Sequence, residues 1–387
     1  MHNWYLKYKT KLYIFIIYLL FIFLINLFTT LDLFFFYIFF EGLLIPTFFL
    51  IGIWGSRSRK IYAAYLFFFY TLCGSAFILI SIFLIYLNKG SSNLDLFLYS
   101  FFFESREIFF WICLFIGFSV KIPILPFHIW LPEAHVEAPT VGSIILAGIL
   151  LKLGTYAVFR LLLGSLFYNI FDFIFIILVI ALLGLTYSSL VAFSQIDIKK
   201  IIAYSSIAHM NFLLIGIFAN SIVGLYGAFI MMIGHAFTSS ALFLSIGILY
   251  DRYKTRILFY YGGLVYFMPI YSIFLFFFVL SNFSFPGTIN FVGEFFILFS
   301  GFFLSSTFIF FSIFSIILTL IYSLFFFNRI IFGNLFNLKF FRYFSDVSRI
   351  EFKCLSLFFF VIFILGLIPN IIMVGNYFLL IKFLIIV

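Results

Sequence analysis

Ile108-Phe-Phe-Trp-Ile-Cys-Leu-Phe-Ile-Gly-Phe-Ser-Val-Lys-Ile-Pro-Ile-Leu-Pro-Phe-His-Ile-Trp-Leu-Pro132 is the stretch that decides the fold. It opens with an uncharged apolar run and then meets Lys121, Pro123 and Pro126 in quick succession. A bilayer core about 30 Å thick is crossed by about 20 helical residues rising about 1.5 Å each, so the stretch is long enough to span. Proline removes a backbone donor and clashes with the preceding turn. The spacing therefore predicts two half-helices joined by irregular backbone near Lys121–Pro126, a construction a membrane tolerates only where protein or a polar cavity surrounds it.

Outward from this stretch the chain repeats the apolar theme. Of its 387 residues 66% are hydrophobic and 9% charged, and the mean hydropathy of +1.29 leaves too little polar surface to cover a soluble globule. The runs do not alternate apolar with polar residues, which excludes a barrel. Eleven spans are predicted: 12–31, 33–54, 63–87, 108–132, 141–163, 173–193, 201–219, 222–250, 266–304, 307–331 and 352–374. The ninth is interrupted as the fourth is, by Ser281-Asn-Phe-Ser-Phe-Pro-Gly-Thr-Ile-Asn290. The basic start ahead of Leu12 resembles a signal peptide, but the apolar run ends at Thr29, Thr30 and Asp32 without a small-residue cleavage site, so it reads as a retained helix.

Loop charge supports this count. With alternating spans, the segments at 7–11, 57–60, 199–200, 252–256 and 329–353 fall on one side and carry 16 of the 22 Lys and Arg. The other side has Lys89, Arg106, Arg160 and Lys382. The net charge of +9 is thus a matter of membrane orientation, with the N-terminus and basic loops on the cytoplasmic or matrix side, and not of nucleic-acid binding. Residues 1–387 read as one membrane domain with a first half at 12–163 (spans one to five), a second half at 173–331 (spans six to ten), and a last span with its tail at 352–387. Broken spans five apart point to two five-helix repeats, an arrangement that places an ion path near the midplane.

Candidate residues follow from the cost of charge in lipid. Glu41, Lys121, Lys152 and Glu294 all lie at membrane depth, where ionisable groups mark ion pathways more often than static pairs, because buried charge is a poor source of stability. Glu41 has Lys121 as its natural partner. Lys152, in Leu150-Leu-Lys-Leu-Gly154, is mid-span with apolar neighbours and cannot snorkel easily. His209 and His235 lie within spans seven and eight. Each alone is as readily explained by a bond to a neighbouring helix, but imidazole also accepts on one nitrogen while donating on the other, which suits a proton relay.

His128, Glu133, His135 and Glu137 form a denser set, yet the spacing is not that of a zinc helix and Pro126, Pro132 and Pro139 break any common face. They are expected to cap and anchor the broken helix at the interface, with no metal. Cys73, Cys113 and Cys354 are far apart and suggest neither a disulfide framework nor a cluster. No phosphate loop, nucleotide fingerprint, haem attachment or iron-sulfur spacing is present, so no cofactor is expected in this chain.

The segments Phe39-Phe-Glu-Gly-Leu-Leu-Ile-Pro-Thr47, Trp54-Gly-Ser-Arg57, Lys121 to Thr140, Leu151-Lys-Leu-Gly154, Asp197 to Met210 and Pro286-Gly-Thr-Ile-Asn-Phe-Val-Gly-Glu294 together resemble, in order and spacing, the chain 4 group of antiporter-like membrane subunits of the proton-pumping NADH:ubiquinone oxidoreductase, respiratory complex I. Glutamate at 294 separates this group from sister chains with lysine there. The resemblance implies an all-α polytopic protein of antiporter-like five-helix inverted repeats. It implies that Glu41 and Lys121 form a charge pair controlling a half-channel, that Lys152 is the central proton carrier, that His209 and His235 link the halves, and that Glu294 is the terminal exchanging group.

The same resemblance implies a mitochondrial inner membrane setting, other membrane-arm subunits and lipids as partners, and flavin, iron-sulfur clusters and ubiquinone held in other subunits. Two departures stand out. The family usually has three further helices ahead of the segment matching Leu12–Leu31, and a separate small hydrophobic chain is expected to supply them. Asn211 replaces a common glycine, which bears on how His209 packs. The competing readings are a cation/proton antiporter subunit using the same groups without a redox partner, and a scaffold whose buried charges only specify assembly.

Overall fold

The computed structural model describes residues 9–94, 104–163, 170–333 and 345–372. Lys7, Lys339, Arg342 and Lys382 of the loop-charge argument, the end of the eleventh span and the tail after it lie outside these. The described residues are helical throughout apart from turns and two isolated backbone bridges, Asp32 with Asn93 and Asp197 with Ile257.

The helices are α1 (Thr10–Thr29), α2 (Leu33–Gly42), α3 (Leu44–Trp54), α4 (Lys60–Lys89), α5 (Glu104–Lys121) and α6 (Trp130–Glu137); α7 (Thr140–Leu162); and α8 (Ile170–Ser194), α9 (Ile198–Ile217), α10 (Ile222–Tyr253), α11 (Pro269–Asn282), α12 (Ile289–Leu304), α13 (Ser306–Ile331) and α14 (Arg349–Leu367). Among the described residues nine helical stretches are long and apolar enough to cross a membrane, with α2 and α3 counted as one. The pairs α5/α6 and α11/α12 supply the two interrupted spans, giving the eleven the sequence predicts.

Boundaries differ where local chemistry decides them. The second half of the fourth span begins at Trp130 and runs past Pro132, which sits in the first turn, where a missing N–H costs nothing, to Glu137. The helix of the last span starts at Arg349 on a capping box between Ser348 and Glu351 and is interrupted after Leu367, just ahead of Pro369. A seam at Leu43 divides the second span, because Pro46 offers no N–H to the carbonyl of Gly42. Thr47 covers the neighbouring carbonyls, donating from its hydroxyl to Leu43 and Leu44 at 2.9 Å each. In α7 two π-helical turns, Leu146–Leu150 and Val158–Leu162, interrupt the α ladder, with no proline to announce them.

At both breaks the second half-helix donates to a carbonyl at the end of the first. After α5, Pro123 has no N–H, so Ile124 N–H reaches back to Ser119 at 3.1 Å and leaves the Val120 carbonyl free. The indole of Trp130, first residue of α6, donates to that carbonyl at 2.9 Å. After α11, the amide of Asn290, second residue of α12, donates to the Ser281 carbonyl at 3.0 Å and to Thr238 Oγ1 at 3.3 Å. Trp130 thus supplies the donor that the Val120 carbonyl lacks, while Asn290 adds a second donor to a Ser281 carbonyl that also accepts from Ser284 N–H at 3.3 Å, in keeping with a low-dielectric setting.

The helices fall into two compact units. The N-terminal unit comprises described residues within His2–Gly142 and Leu150–Phe175, and the C-terminal unit those within Ser143–Ile149 and Ile176–Ile386. In the N-terminal unit, α4 packs closely on α5, and Phe67 meets Trp130 edge-on at 5.3 Å. In the C-terminal unit, α9 is almost wholly buried while α13 and α14 keep broad exposed apolar faces. Its core includes Phe243, Met268, Tyr271, Phe278 and Leu355.

One end of the C-terminal unit is tied by a loop carboxylate. The first turn of α11 has no cap of its own, and Asp346 accepts from Ile270 N–H at 2.9 Å and Tyr271 N–H at 3.3 Å. Arg252 of α10 holds this loop through the Asp346 carbonyl at 3.1 Å and Glu351 at 2.7 Å. A carboxylate at a helix N-terminus contributes about 1 to 2 kcal/mol. Asp346→Ala is expected to lower the midpoint of thermal inactivation of the purified protein by a few degrees while Asp346→Asn preserves most of it.

Candidate functional site

The six ionisable residues singled out by the sequence form two sets, one in each unit. In the N-terminal unit Lys121 ends α5 at the break and is 6% exposed. Its Nζ lies 4.8 Å from the ring centre of Phe40 and 5.8 Å from that of Phe67, a cation-π setting that partly replaces lost hydration. Glu41, one residue before the end of α2, feels the Lys121 charge and stands within reach of Ser75 on α4. No direct ion pair joins Glu41 to Lys121 among the described residues, and Glu41 Oε1 is buried without a hydrogen-bond partner. The expected pair is therefore one of fields across a gap, not a closed salt bridge.

Lys152 is buried on α7, just after the first π turn. Such turns add a residue to the helical repeat and re-aim the side chains that follow. Gly154, two residues on, lets α7 press against the break: a Cβ there would lie 2.7 Å from Ile122 Cγ1 and 3.1 Å from Lys121 Cβ. The structure thus brings α7 and the end of α5 together beside both lysines.

In the C-terminal unit the placement is tighter. His209 Nδ1 of α9 lies 3.4 Å from Glu294 Oε1 of α12, and the rings of His209 and His235 are 5.4 Å apart between centres. All three residues are buried. Glu294 reaches this place because α10 and α12 cross at small residues: a Cβ on Gly227 would meet the Gly293 carbonyl at 2.9 Å, and one on Gly293 would meet Met231 Cβ at 2.8 Å. Asn290, one turn before Glu294, pins the start of α12 to the end of α11.

Asn211, the departure noted in the sequence, is fully buried and donates to the Ile207 carbonyl at 2.8 Å. Its bulk is accepted by Gly184 of α8, where a Cβ would fall 2.5 Å from Asn211 Oδ1.

His128, His135 and Glu137 are buried and Glu133 is half-buried, and the Glu137 carbonyl accepts from Ser56 N–H at 3.1 Å. Among the described residues no group of three or more His, Cys, Asp or Glu side chains is placed to hold a metal. Residues that sequence reasoning passed over are Ser75 beside Glu41 and Ser205, Asn282 and Tyr322, the last buried and within the field of Glu294. A hydroxyl among 24 tyrosines carries no signal of its own.

Chemically, each set offers buried groups of types able to take up and release protons, carboxylate with ammonium in one and carboxylate with imidazole in the other, near irregular backbone. Residues 30–321 match the family model described as NADH:quinone oxidoreductase/Mrp antiporter, TM. The chain is 52% identical over 326 residues to NADH-ubiquinone oxidoreductase chain 4 of Marchantia polymorpha, covering 82% of this chain and 65% of that one. To chain 4 of Chondrus crispus it is 50% identical over 317 residues, covering 81% and 63%. It therefore spans just under two thirds of the length of these relatives.

Among solved structures, a chain of respiratory complex I from Thermus thermophilus with bound NADH superposes with a TM-score of 0.86 at 27% identity, over 92% of this chain and 76% of that chain. A chain of the Mrp complex from Dietzia sp. DQ12-45-1b shares the fold, with a TM-score of 0.81 at 19% identity, over 95% and 76%. The matched span and these identities settle the family: this chain belongs to the NADH:quinone oxidoreductase/Mrp antiporter transmembrane family.

Proposed function

We propose that the chain is a proton-translocating membrane-arm subunit of NADH:ubiquinone oxidoreductase, moving protons through buried side chains while redox chemistry takes place in other subunits. The observation that carries this reading is the contact between His209 and Glu294 at 3.4 Å, buried beside a helix break, with a second set of buried ionisable residues beside the other break. The half-identical chain 4 relatives support the choice of complex.

In this reading a change at the quinone site alters the field between Glu41 and Lys121. Because the two are not locked in a salt bridge, a movement of either changes their coupling, and a low-dielectric setting makes that change larger than it would be in water. Lys121 then acts on Lys152 across the Gly154 contact, and Lys152 passes its proton on. His235 and His209 hand the proton toward Glu294, each imidazole accepting on one nitrogen and releasing from the other. Flavin, iron-sulfur clusters and ubiquinone belong to other subunits. The setting is the mitochondrial inner membrane with the basic loops on the matrix side, and lipids cover the exposed apolar faces of α1, α13 and α14.

Gentle isolation of the complex that holds this chain tests the reading. Co-purification with flavin, iron-sulfur subunits and NADH:quinone activity coupled to proton uptake is the expected result, and the same preparation reports whether a separate small hydrophobic chain accompanies it. Isolation without redox partners, with sodium-dependent transport, would instead put the cation/proton antiporter first, a reading that the shared Mrp fold supports.

A further inference from the structure

Tyr322 of α13 is 2% exposed in the middle of the C-terminal unit, and no hydrogen bond closes on its hydroxyl among the described residues. A buried phenol that gives up hydration without gaining a partner is destabilising unless a neighbouring group accepts from its hydroxyl in another state. Three polar groups surround it. Ser205 of α9 and Asn282 at the end of α11 stand within side-chain reach, and Glu294 of α12 lies within its field.

The placement joins elements that matter. Ser205 is one turn before His209 on α9, and its own proton is committed to the Ile202 carbonyl at 2.8 Å, leaving its oxygen free to accept. Asn282 is the last residue before the second break. Glu294 contacts His209 at 3.4 Å. A hydroxyl rotor set among these groups has two sorts of acceptor, one whose charge changes and others whose charge does not.

We propose that Tyr322 is a positioning residue for proton transfer at Glu294: its hydroxyl donates to the Glu294 carboxylate and turns to Ser205 or Asn282 once that carboxyl is protonated. A hydrogen bond to a charged acceptor is about twice as strong as one to a neutral acceptor, so the rotor follows the charge. No bond is made or broken at the tyrosine, and the proton that moves is the one exchanged between His209 and Glu294. The charge state of Glu294 is thereby linked to the end of α11. The proposal rests on the proton-translocation reading above.

Its test uses the full chain in its own membranes, with Tyr322→Phe and Glu294→Gln compared for assembled complex, NADH:quinone turnover per complex and the solvent deuterium effect on turnover. Tyr322→Phe, which removes one oxygen, is expected to leave assembly unchanged, to lower turnover per complex about ten-fold, and to enlarge the deuterium effect. Unchanged turnover per complex in Tyr322→Phe, with loss in Glu294→Gln, overturns the role of Tyr322 and leaves the function standing. Normal turnover in Glu294→Gln overturns the function itself. If Tyr322→Phe does not accumulate, Ser205→Ala, which leaves the ring packing intact, decides with the same readouts: a smaller loss of turnover with an enlarged deuterium effect supports the rotor, and no change removes it.

Discussion

Lys152→Met is expected to reduce proton-coupled quinone reduction on the order of 100-fold, the scale of a positioned acid-base group, without dissolving the complex. Methionine matches the length and flexibility of lysine and fills irregular apolar space well. Its neighbours Leu151, Leu153 and Thr155 are all buried, and exchanging a buried charge for an apolar side chain of similar volume is often neutral for stability. Function and folding therefore separate in this variant. The measurement is proton uptake by sealed vesicles together with the amount of assembled complex on a native gel. Full pumping from a normally assembled Lys152→Met complex would remove Lys152 as the carrier.

The second large effect is steric. Gly154→Leu places a Cβ 3.2 Å from the Ile122 backbone nitrogen as well as against two side chains, and the rest of the leucine has no room beyond it. Overpacking commonly costs about 1 to 3 kcal/mol, and here the obstacle includes backbone that is fixed by the break itself. The chain is expected to fall to a small fraction of its normal level in the membrane, as read by immunoblot against a neighbouring subunit. Gly154→Ala, carrying the Cβ alone, is expected to accumulate partly and to turn over slowly, because α7 is displaced from Lys121. Wild-type level and rate for Gly154→Leu would mean that α7 and the break are not in contact in the membrane.

Much of this arrangement was legible in the residues. Lysine between apolar runs at 121 and 152, and glutamate at 41 and 294, stand out because lipid makes charge costly, and Pro123, Pro126, Pro286 and Gly287 announce the two breaks by chemistry that acts within one turn. The π turns of α7 were not legible, since nothing in Leu146–Leu150 differs from ordinary helix. Nor was the donor role of Trp130 or the place of Tyr322. Indole and phenol groups are common in a chain that is 25% aromatic, and only tertiary placement distinguishes those buried beside polar groups from those on the exposed apolar faces. The separation of Glu41 from Lys121 is likewise a matter of angstroms that spacing does not encode.

The closure of each break by its own second half-helix bears on ion selectivity. A sodium ion stripped of water is held by several oxygens at once, and unwound helix backbone is a ready source of them. Here the carbonyls of Val120 and Ser281 are engaged by the Trp130 indole and the Asn290 amide. Each of these two carbonyls already holds a nitrogen donor, and the ionisable groups beside the breaks are carboxylate, imidazole, phenol and ammonium, which under the proposed function exchange protons.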